Sequence, residues 1–402
     1  MTTFWCEQAW LPAGVVAGEV EVQAGTDGRI VAVRTGVAPS PGAHRLAGLV
    51  LPGAANAHSH AFHRALRGRT QGSTFMSWRK EMYDLAGRLD PDRYLALATA
   101  VYAELVVAGW TCVGEFHYLH HVHGSPTAMA DALRAAAARA GIRLTLLDTC
   151  YLTGGFGAGG IATGLTPEQA LFGDADVAAW VDRLGSHPAD TAISRTGAAI
   201  HTVRAVPREV LPDVVVAAGT RPLHVHLAEQ ASEVAGCRAT YGVSPARLLH
   251  DSGVLGPRTT AVHAIHLDDA DIRLLGDSGV NVAACPTTEA DLADGIGPFA
   301  ELAAAGCPIL LGSDQHAVVD PFAEARALEH GQRHAALGWP GNGVLAPGAA
   351  CDLVAVRSDS PRTAGCRPEQ ISLAATASDV DTVVVGAVVV AHGGRHVELG
   401  DD

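Results

Sequence analysis

The chain has 402 residues, 48% hydrophobic and 17% charged, with 45 Gly and 21 Pro, a composition that excludes a disordered or fibrous protein and allows a large buried core. Its formal charge of -14 argues against nucleic acid and anionic membrane surfaces as partners, because both select basic patches. The eight cysteines, at positions 6, 112, 150, 237, 285, 307, 351 and 366, form no C-x-x-C pair, which disfavours a disulfide scaffold or thiolate zinc site and predicts a reducing, cytoplasmic setting.

In chain order, Met1 to Glu7 lack the basic and apolar regions of a signal peptide. Residues 1–48 read as β-hairpins: Val20 and Val22 alternate with Glu19 and Glu21, Asp27-Gly28 signals a turn, and Ile30 to Val33 form a second apolar run. From 49 to 339, short apolar runs alternate with Ala/Leu-rich stretches of helical length. Eight strands are predicted at Leu49 to Pro52, Thr111 to Phe116, Arg143 to Asp148, Gly197 to His201, Pro222 to Leu227, Thr260 to His266, Val280 to Ala284 and Pro308 to Gly312. Helices such as Asp92 to Ala108, Pro126 to Ala140 and Pro321 to His330 fill the gaps, so the expected fold class is α/β, a (β/α)8 TIM-type barrel. The Gly-rich run Gly154 to Gly160 reads as a loop over a site. Residues 340–402 are β-rich again, with strands at Asp352 to Val356 and Val383 to Val390, and the simplest packing joins 1–48 with 340–402 in one composite β-sandwich. The longest apolar run, Val383 to Ala391, is too short to span a bilayer.

Residues of metal-ligand character gather at the carboxyl ends of these strands, where barrel enzymes place their sites. His58 and His60 are two apart, so in extended backbone both project to one side and can share a metal. His226 ends the fifth strand and Glu229 follows three residues later, a ligand with an acid/base beside it. His224 lies one alternation deeper and is assigned to packing or to orienting the ligands. His263 ends the sixth strand. Asp314 ends the eighth, where a carboxylate after a buried apolar strand costs several kcal/mol unless a cation or strong hydrogen bonds face it. The expected metal ligands are therefore His58, His60, His226, His263 and Asp314. His120, His121 and His123 read as loop histidines near the site mouth.

This order of ligands resembles the amidohydrolase superfamily, with H-x-H after strand one, His after strands five and six, and Asp after strand eight. Members with two metals carry a modified Lys on strand four; here that strand runs Ala198 to Arg204 without Lys, so the resemblance implies one divalent metal, Zn2+. More narrowly the chain is similar to the formimidoylglutamate deiminases of histidine degradation, which hydrolyse N-formimino-L-glutamate to N-formyl-L-glutamate and ammonia. Ala57 to Phe62, Ser77 to Tyr83, Gly114 to Tyr118, His201 to Arg204, His224 to Gln230, Thr288 to Leu292 with Asp294 to Ile296, and Gly312 to Asp314 with His316 carry that similarity. It implies that Arg79, Tyr118, His201 and Arg204 bind a small dicarboxylate substrate, and a dianion approaching a chain of charge -14 does need guanidinium forks. By analogy with relatives a homodimer is expected. Two departures stand out: His63 replaces a usual Gln among the substrate-binding residues, and the segment from Gln332-Arg333 to Leu337 lacks the family's intervening helix.

The expected mechanism has the metal supply hydroxide at neutral pH, Asp314 and His263 take or steer its proton, and Glu229 relay a proton to the leaving nitrogen. His263 serves as ligand, as polariser of the oxygen, or as both. The rival enzyme reading is a deaminase of a purine, pterin or triazine ring, which has no use for Arg79 and Arg204 together. A non-catalytic barrel subunit is the rival of a different class, and the intact ligand set with Glu229 argues against it.

Overall fold

The computed structural model describes residues 1–70, 75–122, 125–157, 162–331 and 344–400. Eight parallel strands form the central sheet: β1 Ala54–Ser59, β2 Trp110–His117, β3 Arg143–Cys150, β4 Ser194–Ile200, β5 Leu223–Leu227, β6 Thr259–His263, β7 Asn281–Ala284 and β8 Ile309–Leu311, hydrogen-bonded in sequence order. The sheet closes between β1 and β8. Asp314 N donates to His58 O and His60 N donates to Asp314 O, both at 3.0 Å. The strands are this close at Gly312 because it has no side chain: a Cβ there would stand 2.8 Å from the His58 Cβ and 2.8 Å from Cys285 Sγ.

Helices pack outside the strands and start where the sequence supplies caps. Asp90 accepts from Arg93 N ahead of Pro91–Val107, and Asp176 accepts from Ala179 N ahead of Val177–Ser186. Among the described residues, no helix is long and apolar enough to cross a membrane. The segment 332–337 and the tip of the Gly154 to Gly160 run lie outside the described residues; the base of that run is a small hairpin of Gly155–Phe156 with Ala162–Thr163.

Both chain ends meet in the second sheet, eight strands in one layer order, in which Leu49–Pro52 pairs with Leu353–Val356. Two expectations are corrected here. Leu49 to Pro52 is not the first barrel strand but the end of the strand His44–Pro52 of this terminal sheet. Its residues alternate between two cores, Leu49 and Leu51 facing the barrel cluster and Val50 the terminal one, so burial on both faces gives the continuous apolar run expected of a barrel strand. Val383 to Val390 is a hairpin rather than one strand: Val380–Val385 turns at Gly386 and Ala387, both with positive φ, into Val388–His392.

Candidate metal centre and active site

The carboxyl ends of β1, β5, β6 and β8 bring His58, His60, His226, His263 and Asp314 together. His58 Nε2 lies 3.2 Å from His226 Nε2 and 3.4 Å from Asp314 Oδ1; His60 Nε2 lies 3.5 Å from that same oxygen, and His263 Nε2 3.8 Å from Asp314 Oδ2. The tautomers decide what this cluster can hold. His60 Nδ1 is 2.8 Å from the Phe116 carbonyl and His226 Nδ1 2.9 Å from the His201 carbonyl. A carbonyl only accepts, so each Nδ1 carries the proton and each Nε2 presents a bare lone pair to the cluster. Burial pushes the imidazoles of His58, His60 and His226 below their ordinary pKa, which keeps them in the neutral, ligating form. Burial alone would raise the Asp314 carboxyl, but hydrogen bonding with His58 and the charge of His263 bring it to about 2. Lone pairs and an ionised carboxylate converging in a buried space need a cation, so the donors fit a divalent metal.

Backbone strain accompanies the convergence. Among the described residues nine non-glycines have positive φ, and five of them, Ala228, His263, Ala264, Asp314 and His316, follow or end β5, β6 and β8 around this cluster. Each costs on the order of 1 kcal/mol or more, which the surrounding barrel must over-determine. Below the ligands, Ser59 points away from the metal side and donates to Glu115 Oε2 at 2.6 Å, while Ala61 N donates to Glu115 Oε1 at 2.7 Å. Burial drives Glu115 up to about 7 in spite of these bonds. Asn56 and Ser313 exchange two hydrogen bonds across the β1–β8 seam, at 2.7 and 3.0 Å.

Glu229 stands beside the cluster, its Oε1 3.8 Å from His263 Nε2. Burial raises its pKa, and the carboxylates of Asp294, Asp314 and Glu233 add to the rise against the opposing His263. The other ring nitrogen of His263, Nδ1, is 3.3 Å from Glu289 Oε1. Burial would lower the His263 pKa, yet Glu229, Glu289 and Asp314 together raise it.

One pocket runs from these groups outward, lined by His63, Arg79, Tyr118, His201 and Arg204 together with Trp78, Tyr151 and Phe172. His63 Nε2 and the Tyr118 hydroxyl bond each other at 2.8 Å. Arg79 Nε donates to the Tyr83 hydroxyl at 2.7 Å with its guanidinium over that ring, and Arg204 Nε donates to Glu233 Oε2 at 3.3 Å. His201 is held neutral by burial and then by the charges of Arg204 and Arg79. His224 is buried one layer beneath His226, its Nδ1 without a hydrogen-bond partner among the described residues. His120 and His121 are not at the mouth of this pocket: His120 is buried with Nε2 3.1 Å from Thr149 O, and His121 pairs with Asp174 at 3.0 Å, while His123 lies outside the described residues.

Sequence reasoning left Glu289, Tyr151, Phe172 and Glu233 without roles. Glu289 and Tyr151 follow β7 and β3 closely, so the strand-end rule that found the histidines applies to them as well. Phe172 and Glu233 come from a loop and a helix, and nothing in their spacing marks them.

The amidohydrolase family model matches residues 49–336. A formimidoylglutamate deiminase of Pseudomonas aeruginosa is 35% identical over 344 residues, covering 83% of this chain and 75% of the relative. An 8-oxoguanine deaminase of the same organism is 32% identical over 375 residues, covering 84% and 81%. Among solved structures, an amidohydrolase from Brucella melitensis superposes with a TM-score of 0.86 at 30% identity, covering 99% of this chain and 96% of that one.

Proposed function

The chain belongs to the amidohydrolase family, and from that premise we propose that it is a metal-dependent deiminase that hydrolyses N-formimino-L-glutamate to N-formyl-L-glutamate and ammonia. One observation carries the choice of substrate: the pocket that holds the metal donors is also lined by two guanidinium groups, each anchored through Nε with both terminal nitrogens free of protein partners among the described residues. Two forks suit two carboxylates, and the amidine end of such a substrate then reaches toward the metal donors. A planar purine leaves both forks unpaired, at a desolvation cost of several kcal/mol.

His58, His60, His226 and Asp314 would hold one cation, and a nitrogen-rich set of this kind with one carboxylate suits Zn2+. Bound there, the metal supplies a hydroxide equivalent at neutral pH by lowering the pKa of water. Asp314, kept ionised, accepts the proton of the attacking water. His263, turned by Glu289, donates from Nε2 to the oxygen on which negative charge develops. Glu229, whose surroundings favour the protonated acid, delivers a proton to the imino nitrogen. Water thus adds to the formimino carbon, the proton held by Asp314 passes to the same nitrogen, the bond from that carbon to the nitrogen breaks, and ammonia rather than amide anion departs as the proton of the added hydroxyl returns to Glu229. Arg79 and Arg204 pair the two carboxylates, with His201, Tyr118 and His63 completing the wall. The eight unpaired cysteines fit a reducing cytoplasm.

Ammonia release from N-formimino-L-glutamate, compared with 8-oxoguanine and adenosine, is the test, with metal measured in the same preparation. Turnover of the formimino compound alone is expected. Turnover of a ring substrate with none of the formimino compound would replace this reading by ring deamination.

A further inference from the structure

The two guanidinium groups of the pocket are held in the same way but are not electrically equivalent. Arg204 gives its Nε to the carboxylate of Glu233, which is 6% exposed and stands on the first turn of the helix Ala231–Tyr241. Arg79 gives its Nε to a neutral phenol, and among the described residues no carboxylate lies within salt-bridge distance of it. Fixing Nε sets the plane of a guanidinium and turns its two-nitrogen edge outward, the edge that meets a carboxylate in parallel. A carboxylate at Nε also cancels the charge it steers.

We infer that Glu233 is a positioning residue for substrate binding: it locks the edge of Arg204 and neutralises it, so that Arg204 selects geometry while Arg79 supplies the uncompensated positive charge that draws in the dianion. This rests on the dicarboxylate reading given above. Glu233 touches no reacting atom and is the weakest of the charges acting on Glu229, so its effect falls mainly on binding, which in kinetics is KM with kcat little changed. The division of labour also limits attraction for stray anions. A pocket with two uncompensated guanidinium groups would hold monoanions at both ends.

The experiment is calorimetric binding of glutarate, an unreactive dicarboxylate, to the metal-loaded full chain at low and high salt, with turnover of N-formimino-L-glutamate followed in parallel. The variants are E233L, E233Q and, for calibration, R204A. E233L is expected to weaken glutarate binding by about tenfold or more, the loss for a misplaced charged hydrogen bond, with KM raised in proportion and kcat within about threefold. E233Q keeps a partner for Nε but removes the countercharge, so glutarate should bind more tightly and with steeper salt dependence. A structural role alone would not move salt dependence. Wild-type affinity and salt dependence in a folded, metal-replete E233L or E233Q, with R204A impaired, overturns the inference; where E233L does not fold, E233Q decides. If the wild-type protein binds glutarate but leaves N-formimino-L-glutamate intact, the proposed activity falls and the role of Glu233 is still judged by binding. If it binds no glutarate, both fall.

Discussion

At the residue scale, burial pushes up the carboxyls of two glutamates, Glu229 and Glu324, which make different predictions. Glu229 lies against His263 at 3.8 Å, where an amide keeps the shape and loses the transferable proton. Glu229→Gln should therefore retain stoichiometric metal, measured by elemental analysis, and lose about 10²–10⁴ in kcat for ammonia release; full turnover would remove Glu229 from the proton path. Glu324 is fully buried and accepts from Thr287 N at 3.1 Å and Thr287 Oγ1 at 2.5 Å, yet burial raises it to about 8. In the unfolded chain it titrates near 4.3. Between these values the folded state binds the extra proton, so stability falls as pH rises from about 4.3 to about 8, and outside that window Glu324 contributes no slope. Urea midpoints at pH 5, 6.5 and 8 should decline in the wild type more steeply than in Glu324→Gln, and equal slopes would mean that Glu324 is ionised in the fold.

At the element scale, the helix Val177–Ser186 is tied to β3 through one carboxylate. Asp148 is completely buried and accepts from Arg183 Nη2 at 3.0 Å and Trp180 Nε1 at 3.0 Å, and stands 2.7 Å from His187 Nε2; Arg183 also pairs with Asp174. Burial would raise the Asp148 carboxyl, but His120, His187 and Arg183 pull it far below the usual range, so its contribution is present above the unfolded pKa of about 3.9 and is lost only as pH falls toward its depressed folded value. Removing one partner strands the others: Asp148→Asn should lose about 3–5 kcal/mol in urea unfolding at pH 7. This cluster also shows what sequence reading cannot reach, since His120 and His121 read as loop histidines near the site mouth, whereas the fold sets them beside Asp174 and Arg183. The five residues that cluster at these strand ends were legible because ligand chemistry at a strand end has few other uses. Leu49–Pro52 was not, because an apolar run buried on both faces looks the same in a barrel and in a sheet lying on one. Glu233 was invisible, its partner Arg204 being 29 residues away along the chain.

At the scale of the whole molecule, the candidate metal donors come from β1, β5 and β8, so a cation held by them would join the two strands of the β1–β8 seam to β5 across the barrel. Chelation should lower the melting temperature by many degrees, since a ligand present at about 1,000 times its Kd adds about 4 kcal/mol to the folded state; a scan with and without a strong chelator, followed by Zn2+ addition, measures this. An unchanged melting temperature would mean that the barrel closes without help from the metal. The seam in the terminal sheet has a different consequence. Leu49–Pro52 has the early strand Thr2–Leu11 on one edge, but its other edge pairs with Leu353–Val356, so during synthesis that apolar edge waits for roughly 300 further residues, on the order of 15–60 s at ordinary elongation rates. A ribosome making this protein therefore carries an unmatched strand edge until the residues around Leu353 have emerged, and the yield of soluble protein should depend on what shields that edge in the interval.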